Sequence, residues 1–331
     1  MNFKFSVLFY LLLLIGKSTY AQLNWRNVDS LYQPLPSSVH VFRSIDSLDG
    51  QPNIAFYIFA PLKDRELIYT TDTTLKRRLT PTQFFKKNKN PIVVVNTTFF
   101  SFQTNQNLNL VINDGNLLSY NIHSIPGRNK DTLTYRHPFA SAFGINKKRK
   151  ADIAWTLTDS SKRQPYAIQL PINAIKDSVL HHPVKFYEKN TRLVMGHNSG
   201  TKRMLKKWKM QTAVGGGPVL IQNGLVNITN NEELKFAGKA IHDKHPRTAM
   251  GYTADGKLII LAVQGRTPGV ADGASLPQIA QILKDLGCIE AINLDGGGSS
   301  CLLINGKETI SPSDKEGQRA VPAVFMIQKR N

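Results

Sequence analysis

Hydrophobic and polar positions in the first third of the chain follow the pattern of short β-strands joined by turns. The apolar-rich runs are separated by Asp, Gly, Asn and Pro, which favour turns, and they cover residues 39–45, 54–60 and 66–70. The run 91–101 is apolar without alternation, as in a strand buried on both faces, and Asn96 follows its most apolar part. Asn113, Asp114 and Gly115 then predict a β-hairpin over 108–118.

Two segments carry the signals that begin a helix. Thr80 and Gln83 form a capping-box pattern before a short segment that ends in lysines, and Ser275 and Gln278 repeat that pattern. The second segment has a proline in its first turn and an apolar stripe at helical spacing, closed by Gly287. The stripe consists of Leu276, Ile279, Ala280, Leu283 and Leu286. It predicts a helix packed on the core and has no other predicted role.

The middle of the chain is harder to interpret. Residues 121–209 are polar and are predicted to hold an insertion or a subdomain, with strands at 140–145 and 151–157. Taken together, the patterns predict an α+β fold, with mixed, hairpin-rich β-sheets and helices packed against them. We expect a single catalytic domain over 22–331, of which 22–90 is the β-rich N-terminal part.

The first 21 residues have the features of a secretory signal peptide. Lys4 precedes an apolar core, and Thr19 and Ala21 place small residues before Gln22. The core is shorter than the ~20 apolar residues that a membrane span needs, and no later stretch is long and apolar enough. We therefore expect cleavage near Ala21, export to a periplasm or the outside medium, and no transmembrane segment in the mature chain.

The chain has two cysteines, Cys288 and Cys301, which is too few for a disulfide scaffold. They flank the strand and glycine loop described below. A bridge between them in an oxidising compartment and a pair of buried thiols are both compatible with the sequence.

A formal net charge of +19 and a pI near 9.9 favour an anionic partner: nucleic acid, an anionic membrane or cell-wall polymer, or a phosphorylated small substrate. The basic residues cluster at 147–150 and 202–209. The sequence contains no zinc-finger spacing, RNP-type aromatic motif or basic helix with heptads, so it predicts no specific nucleic-acid recognition. Both clusters are interpreted as solvated turns.

The stretch 289–303 combines an apolar strand pattern with a polar loop. The polar residues of the loop are Asn293, Asp295, the glycines Gly296, Gly297 and Gly298, and Ser299. Ordering three consecutive glycines costs much backbone entropy, so the triplet indicates a positive φ or backbone pressed against a ligand. The alternative is a tight hairpin in which Asp295 caps the turn. A second triplet at 215–217 is also followed by an apolar strand and Asn-Gly, as in a weak repeat or two similar hairpins.

The chain resembles the phosphodiester glycosidase family in seven segments: VVNTTFF, GGGPVL, HPRTAMG, DGKLIILAVQGR, SLPQIAQILKDLG, AINLDGGGSS and NGK. The resemblance is dense over 214–324 and patchy over 91–118. It implies hydrolysis of a sugar-1-phosphodiester, which releases the sugar and leaves a phosphomonoester on the other partner. The family often has Asp-Gly after the LIILAV-type strand, whereas this chain has Gln264-Gly265.

The resemblance also implies a set of site residues. The implied catalytic residues are Asp295, Arg247 and Asn293, and the implied substrate contacts are Asn96, Thr248, Gly216, Gly217, Gly296, Gly297, Gly298, Ser299 and Arg319. We expect no cofactor. We also expect no metal, because Asp295 and Asn293 are not accompanied by enough further ligands.

The chemistry of a glycosyl phosphate fits these residue types. Ordinary glycosidases use two carboxylates because an alkoxide is a poor leaving group that must be protonated. A phosphomonoester is a weaker base, so the reaction mainly needs cations around the phosphate and one carboxylate near the anomeric carbon. Asp295 is predicted as that carboxylate and Arg247 as a two-hydrogen-bond phosphate ligand. Arg319 and Arg266 are candidates for a second phosphate contact, and His245 is interpreted as structural. A second carboxylate stays open among Asp272, Glu290 and Asp243.

The leading hypothesis is an exported hydrolase acting on an anionic sugar-phosphate substrate. A second hypothesis is a non-catalytic carbohydrate or cell-wall-polymer binding protein on the same fold, for which Gln264 leaves room. A third is nucleic-acid binding through the basic clusters, with an affinity that falls steeply with salt and is independent of Asp295 and Arg247.

Overall fold

The computed structural model of this protein describes residues 22–127, 131–178 and 205–330, so the predicted signal peptide, 1–21, lies outside the described residues. Most of the regular structure consists of short strands. In chain order these are β1 (Arg26–Asn27), β2 (His40–Ser44), β3 (Ala55–Pro61), β4 (Leu67–Thr73), β5 (Val93–Asn96), β6 (Val111–Asn113), β7 (Asn116–Ser119), β8 (Ile125–Pro126), β9 (Tyr135–His137), β10 (Ala140–Ile145), β11 (Ala151–Leu157), β12 (Tyr166–Ile168), β13 (Ile175–Asp177), β14 (Lys206–Lys207), β15 (Thr212–Gly215), β16 (Val219–Gln222), β17 (Leu225–Val226), β18 (Arg247–Thr253), β19 (Lys257–Val263), β20 (Cys288–Asn293), β21 (Leu302–Ile304), β22 (Lys307–Glu308) and β23 (Ala323–Lys329).

The described residues also form three α-helices and three 3-10 helices. The α-helices are α1 (Pro81–Lys87), α2 (Asn230–Glu233) and α3 (Leu276–Asp285), and the 3-10 helices are Asp29–Tyr32, Ala240–His242 and Gly297–Ser299. Both predicted capping boxes are confirmed. Thr80 Oγ1 accepts from Gln83 N at 3.2 Å and Ser275 Oγ accepts from Gln278 N at 3.4 Å, while each glutamine side chain accepts from the cap amide at 2.8 Å. Across the described part of the chain, no helix has the length and apolar character needed to cross a membrane.

The described strands form four sheets, and all of their pairings are antiparallel. The orders are β1-β2-β3-β19-β18-β20-β16-β17, β14-β12-β11-β10-β15-β6-β7, β22-β21-β5-β23-β4 and β13-β9-β8. We call them the eight-, seven-, five- and three-stranded sheets. Adjacent strands are often joined by tight turns. In the predicted hairpin of β6 and β7, for example, Asp114 and Gly115 have φ values of 48° and 72°.

The main hydrophobic core lies between the eight-, seven- and five-stranded sheets. Val93 and Val95 of β5 contribute to it together with Ile58 and Phe143. Val94 of β5 belongs instead to a second cluster with Phe84 of α1 on the opposite face of the five-stranded sheet. The apolar run without alternation therefore reflects a strand that is covered on both faces.

The apolar stripe of α3 packs on the other face of the eight-stranded sheet. Leu276, Ile279 and Leu283 are fully buried there against Ile259 and Leu261 of β19. Gly287 ends the segment with φ at 83°, a conformation that glycine adopts without steric strain. The predicted helix and its core role are confirmed.

The predicted α+β class is confirmed in its coarse form, since helices pack against hairpin-rich sheets. The helices are few, however, and the described part of the chain is mostly β-structure. Within the region 121–209, strands β10, β11, β12 and β14 add to the seven-stranded sheet, whereas β8, β9 and β13 form the three-stranded sheet. The proposed subdivision of 22–331 stays a prediction.

The two cysteines are buried free thiols. Cys288 packs in the cluster beneath α3, and Cys301 packs in the cluster beneath α1. Of the two alternatives left by the sequence, the structure therefore has unpaired thiols.

Candidate active site

The glycine loop joins the eight-stranded sheet to the five-stranded sheet. Residues 294–301 cross from β20 to β21, and Asn96 at the end of β5 holds them at two points. Its Nδ2 donates to the carbonyl oxygen of Asp295 at 2.6 Å, and its Oδ1 accepts from Cys301 N at 3.0 Å. A buried amide bonded at both ends fixes the backbone that it contacts. Asn96 therefore positions the loop.

Thr248 and Asn293 belong to the same buried polar layer. Thr248 Oγ1 donates to Asn96 Oδ1 at 2.9 Å, and Asn293 Nδ2 donates to the carbonyl oxygen of Gly217 at 2.9 Å. A Cβ built on Gly216 would lie 2.5 Å from the carbonyl oxygen of Asn293, so the first glycine triplet packs directly on the end of β20. The structure places these polar side chains behind the loop, where they connect the two glycine triplets.

Asp295 is half-buried. Its Oδ1 accepts from Gly296 N at 3.0 Å. Burial raises the pKa of Asp295 to about 6, and the Ser299 hydroxyl and the positive charges of Arg319 and Lys235 oppose this rise. At neutral pH the group is mostly ionised, with a pKa close enough to neutrality for proton transfer.

Lys235 is a site residue that the sequence did not single out. Its ammonium lies 5.1 Å from the centre of the Phe99 ring. Burial lowers the pKa of Lys235, and the negative charges of Glu233 and Asp295 oppose that shift. The residue follows α2 in a polar stretch without a recognisable motif, so only the folded chain brings it near Asp295.

Glu233, also missed, is a buried carboxylate that accepts hydrogen bonds from several elements. Its donors are Ser141 Oγ at 2.6 Å, Ser141 N at 3.3 Å, Trp155 Nε1 at 3.2 Å, Val219 N at 2.9 Å and Thr229 Oγ1 at 2.7 Å. These bonds offset the cost of burying its charge. Glu233 ties α2 to β10, β11 and β16 and so fixes the segment that carries Lys235.

Arg247 is buried, and backbone carbonyls hold its guanidinium. Nε donates to Ala274 O at 2.9 Å and Nη2 donates to Asp243 O at 2.8 Å, while Cζ lies 5.8 Å from the centre of the Phe236 ring. Burial lowers the pKa of Arg247 to about 10, with the Asp243 charge opposing the shift and the Arg266 charge adding to it. The Nε–Nη2 edge is thus occupied. The role of Arg247 as a two-hydrogen-bond phosphate ligand stays a prediction, and such a contact would have to use the Nη1 side of the guanidinium.

Arg266 is exposed, and its guanidinium lies near the glycine loop. A Cβ built on Gly297 would lie 3.0 Å from its Nη2, so the guanidinium lies against loop backbone that has no side chain. Its Nη2 also lies 3.4 Å from Nδ1 of His245, whose pKa is lowered by burial and by Arg247 and Arg266. No carboxylate of a described residue forms a salt bridge with Arg266. Its charge is therefore available to an anion.

Arg319 approaches the loop at the next glycine and carries its own counterion. Its Nε and Nη2 donate to the two oxygens of Asp314 at 2.7 and 2.9 Å. A Cβ built on Gly298 would overlap both of these side chains. Arg319 thus lies against the glycine loop, and its role as a substrate contact stays a prediction. Asp314, which lies five residues before Arg319, was not predicted.

The open candidates for a second carboxylate have different surroundings. Glu290 accepts from the Tyr252 hydroxyl at 2.5 Å and from Ile153 N at 2.9 Å, near the end of β20 remote from Asp295. It therefore does not belong to the site. Asp272 and Asp243 contact Arg266 and Arg247, respectively, through backbone carbonyls. The described residues contain no group of three or more His, Cys, Asp or Glu side chains that could hold a metal ion.

Gln264 has a structural contact. It is buried, and its Oε1 accepts from Ser311 N at 3.0 Å. This bond anchors the start of the segment that carries Asp314 and Arg319. A carboxylate at this position could accept the same bond, so glutamine preserves the anchor without the charge.

These residues lie within a region that matches a known family. The sequence model of the phosphodiester glycosidase family matches residues 89–328. This chain belongs to the phosphodiester glycosidase family. The matched region includes the glycine loop, Lys235 and both triplets, so the described site lies within the family domain.

Individual relatives match shorter stretches. N-acetylglucosamine-1-phosphodiester alpha-N-acetylglucosaminidase is 32% identical in Mus musculus and 34% identical in Homo sapiens, in each case over 103 residues, or 29% of this chain and 20% of the relative. The chain thus matches about a fifth of the length of these relatives.

Solved structures extend the likeness to almost the whole chain. The zebrafish catalytic domain of the same enzyme, auto-inhibited by its pro-peptide, has a TM-score of 0.56 at 22% identity and covers 93% of this chain and 89% of its own. A hypothetical protein from Synechocystis has a TM-score of 0.60 at 15% identity and covers 93% of this chain and 64% of its own. At these identities the likeness establishes the shared fold.

Proposed function

We propose that this protein hydrolyses a sugar-1-phosphodiester at the bond between the anomeric carbon and the phosphate oxygen. The observation that carries the proposal is the half-buried Asp295 carboxylate on a loop that has cationic side chains around it. Lys235 and Arg319 act on its pKa, and the guanidinium of Arg266 lies on Gly297. Membership of the phosphodiester glycosidase family supports the same reaction class.

The charged side chains around the glycine loop suit a phosphate leaving group. Glu233 and Asp314 are engaged by hydrogen bonds within the protein, whereas Arg266 has no salt-bridge partner among the described residues. An exposed guanidinium without a counterion can bind phosphate oxygens and stabilise the charge that grows as the phosphomonoester leaves. We therefore assign the main phosphate contact to Arg266. Arg247 contributes its positive charge to the electrostatic potential of the site.

Asp295 supplies the group that acts at the anomeric carbon. As the bond from that carbon to the phosphate oxygen breaks, its electron pair stays on the phosphate. A new bond forms either from water, whose proton Asp295 accepts, or first from Asp295 itself, with water releasing the sugar afterwards. The phosphomonoester is a weak base and leaves without a strong general acid. The buried layer of Asn96, Thr248 and Asn293 keeps the carboxylate in place.

Export and the anionic character of the substrate belong to the same proposal. The sequence over 1–21 has signal-peptide features, and the net charge of +19 suits sugar-phosphate linkages in wall polymers, capsules or host glycans. A non-catalytic binding protein on the same fold is the competing function.

The decisive test is hydrolysis of methyl GlcNAc-1-phosphodiester and UDP-GlcNAc by the purified mature chain in oxygen-18 water. We expect free GlcNAc that carries the label at its anomeric oxygen, together with an unlabelled phosphomonoester. Label in the phosphate would show cleavage at phosphorus and contradict the proposal. If several sugar phosphodiesters bind but none is cleaved, the binding-protein alternative is supported.

The pH dependence of the reaction tests the protonation state of Asp295. The raised pKa of about 6 places ionisation of Asp295 within the assay range. Because a base or nucleophile must be ionised, kcat/KM is expected to fall about tenfold per pH unit below this pKa. Initial rates between pH 4.5 and 8 check this, since a phosphodiester keeps its single charge over that range. A rate that instead falls above pH 6 would assign Asp295 as an acid.

A further inference from the structure

We propose that the site prefers sugar-1-phosphodiesters whose leaving portion carries a second phosphate, and that Arg78 and Phe102 form the subsite for it. This inference rests on the proposed function and specifies its substrate class. The observation behind it is a cluster of three residues beside the glycine loop: Arg78, Phe102 and Arg319. We call this group the rim cluster.

The rim cluster places two guanidinium groups beside one exposed aromatic ring. Phe102 is 61% exposed. The guanidinium carbon of Arg78 lies 5.2 Å from the centre of its ring, and that of Arg319 lies 5.3 Å from the same point. The two guanidinium carbons are therefore at most about 10.5 Å apart, the sum of these distances. One exposed ring thus has two cations within cation-π range.

The two cations differ in how they are neutralised. Arg319 is paired with Asp314 through two hydrogen bonds. The side chain of Arg78 contacts the rings of Phe100 and Phe102 and forms no salt bridge with a described residue. The rim cluster therefore has one positive charge in excess, held beside a flat apolar surface. A ligand with an anionic group next to a ring satisfies both features.

The rim cluster is continuous with the catalytic loop. Arg319 lies against Gly298, and its charge acts on Asp295. The backbone of Leu79 pairs with that of Val321, with hydrogen bonds of 3.0 and 2.8 Å, which fixes the position of Arg78 relative to Arg319. A leaving portion that passes Gly298 would therefore meet the ring of Phe102 and then the guanidinium of Arg78.

Two sources could supply the second phosphate: a nucleoside diphosphate and a sugar-phosphate chain. The chemistry recognised is the same, namely a phosphate separated by a short distance from the one that leaves with the scissile bond. UDP-GlcNAc represents the first source. A two-unit glycosyl phosphate, in which the leaving group is itself a sugar phosphate, represents the second.

The test compares these two substrates with methyl GlcNAc-1-phosphodiester, which has one phosphate. For UDP-GlcNAc, the two-unit glycosyl phosphate or both, we expect kcat/KM of the parent to be about tenfold higher than for the methyl diester. In Arg78→Gln this ratio is expected to fall to about one. The neighbouring Arg77 is exposed, and its backbone oxygen accepts a hydrogen bond from the Thr74 hydroxyl. Arg77→Gln removes the same charge and should keep the ratio. Equal ratios in the parent and Arg78→Gln would overturn the proposal.

Binding separates failure of this inference from failure of the proposed function. In Asp295→Asn, calorimetry with UDP is expected to show an affinity that falls about tenfold on adding Arg78→Gln and also falls on adding Phe102→Ala, but not on adding Arg77→Gln. This result would support the subsite even if the parent hydrolysed nothing. Binding of neither UDP nor the two-unit glycosyl phosphate, or an unchanged affinity for both in the Arg78 variant, would overturn the subsite even if hydrolysis of the methyl diester were observed.

Discussion

Replacing Asp295 by Asn is expected to lower kcat/KM for a sugar-1-phosphodiester by about 10³-fold, because the amide can neither accept a proton nor attack the anomeric carbon. The substitution keeps the shape of the side chain. An amide oxygen can also replace Oδ1 as acceptor for Gly296 N. Substrate affinity should therefore change little compared with turnover. Single-turnover rates and calorimetric binding to the same variant measure the two effects separately.

The stability of this variant provides the control. The pKa of Asp295 is raised from 3.8 to about 6 in the folded protein. Between these pH values the folded state binds more protons than the unfolded state, so the free energy of unfolding falls as pH rises. At pH 7 the whole destabilisation that comes from burying the ionised Asp295 is present. Asn carries no such cost, and we expect Asp295→Asn to be more stable than the parent at pH 7 by about 1–3 kcal/mol. The difference should vanish below about pH 4. A less stable variant at pH 7 would contradict this expectation, and only a variant that is unfolded at the assay temperature would have lost its activity through misfolding.

Local sequence signals predicted much of the fold. Thr80 and Ser275 begin helices because each side chain satisfies an amide of the first turn, which depends only on residues three positions apart. The Asn-Gly pairs at 223–224 and 305–306 both have positive φ values and both close hairpins. Such signals identify elements with short-range partners. They do not assign strands to sheets, and the two hairpins belong to different sheets.

The site was predictable where one segment carried its own motif. Asp295 and the glycines could be nominated because they are adjacent in sequence. The surroundings of Arg247 were harder to predict, because its hydrogen-bond acceptors are the backbone carbonyls of Ala274 and Asp243. No pattern of side chains in the sequence reveals such contacts. Lys235 had no signal at all, because its relation to Asp295 depends on how the 59 residues between them fold into the sheets.

The two glycine triplets illustrate how contacts between segments distant in sequence determine the geometry of the site. Their sequence likeness left open a repeat or two similar turns. In the folded protein Gly217 N donates to the carbonyl of Asn293 at 2.8 Å, and the Asn293 side chain returns a bond to the carbonyl of Gly217. Side chains at the first triplet would prevent this approach, since a Cβ at Gly216 meets Asn293 and Leu294. The first triplet thus supports the second, and it also borders Lys235.

Replacing Lys235 by Met is expected to lower kcat/KM by about 10²-fold, because a positive charge beside the reacting carboxylate and phosphate is lost. Methionine keeps a long unbranched side chain against Phe99, so packing changes little. The same substitution should move the acidic limb of the pH profile above pH 6, because the Lys235 charge lowers the pKa of Asp295 in the parent. The measurement is kcat/KM as a function of pH for the parent and the variant.

The shift of the acidic limb distinguishes an electrostatic role from a structural one. Lys239→Met is the matched control, since Lys239 is exposed and removing its charge alters net charge equally. We expect its pH profile to match that of the parent. If Lys235→Met lost activity with an unmoved acidic limb, Lys235 would not act on Asp295 through its charge. Its contribution would then be confined to positioning α2 beside Glu233, a role that a melting curve would detect.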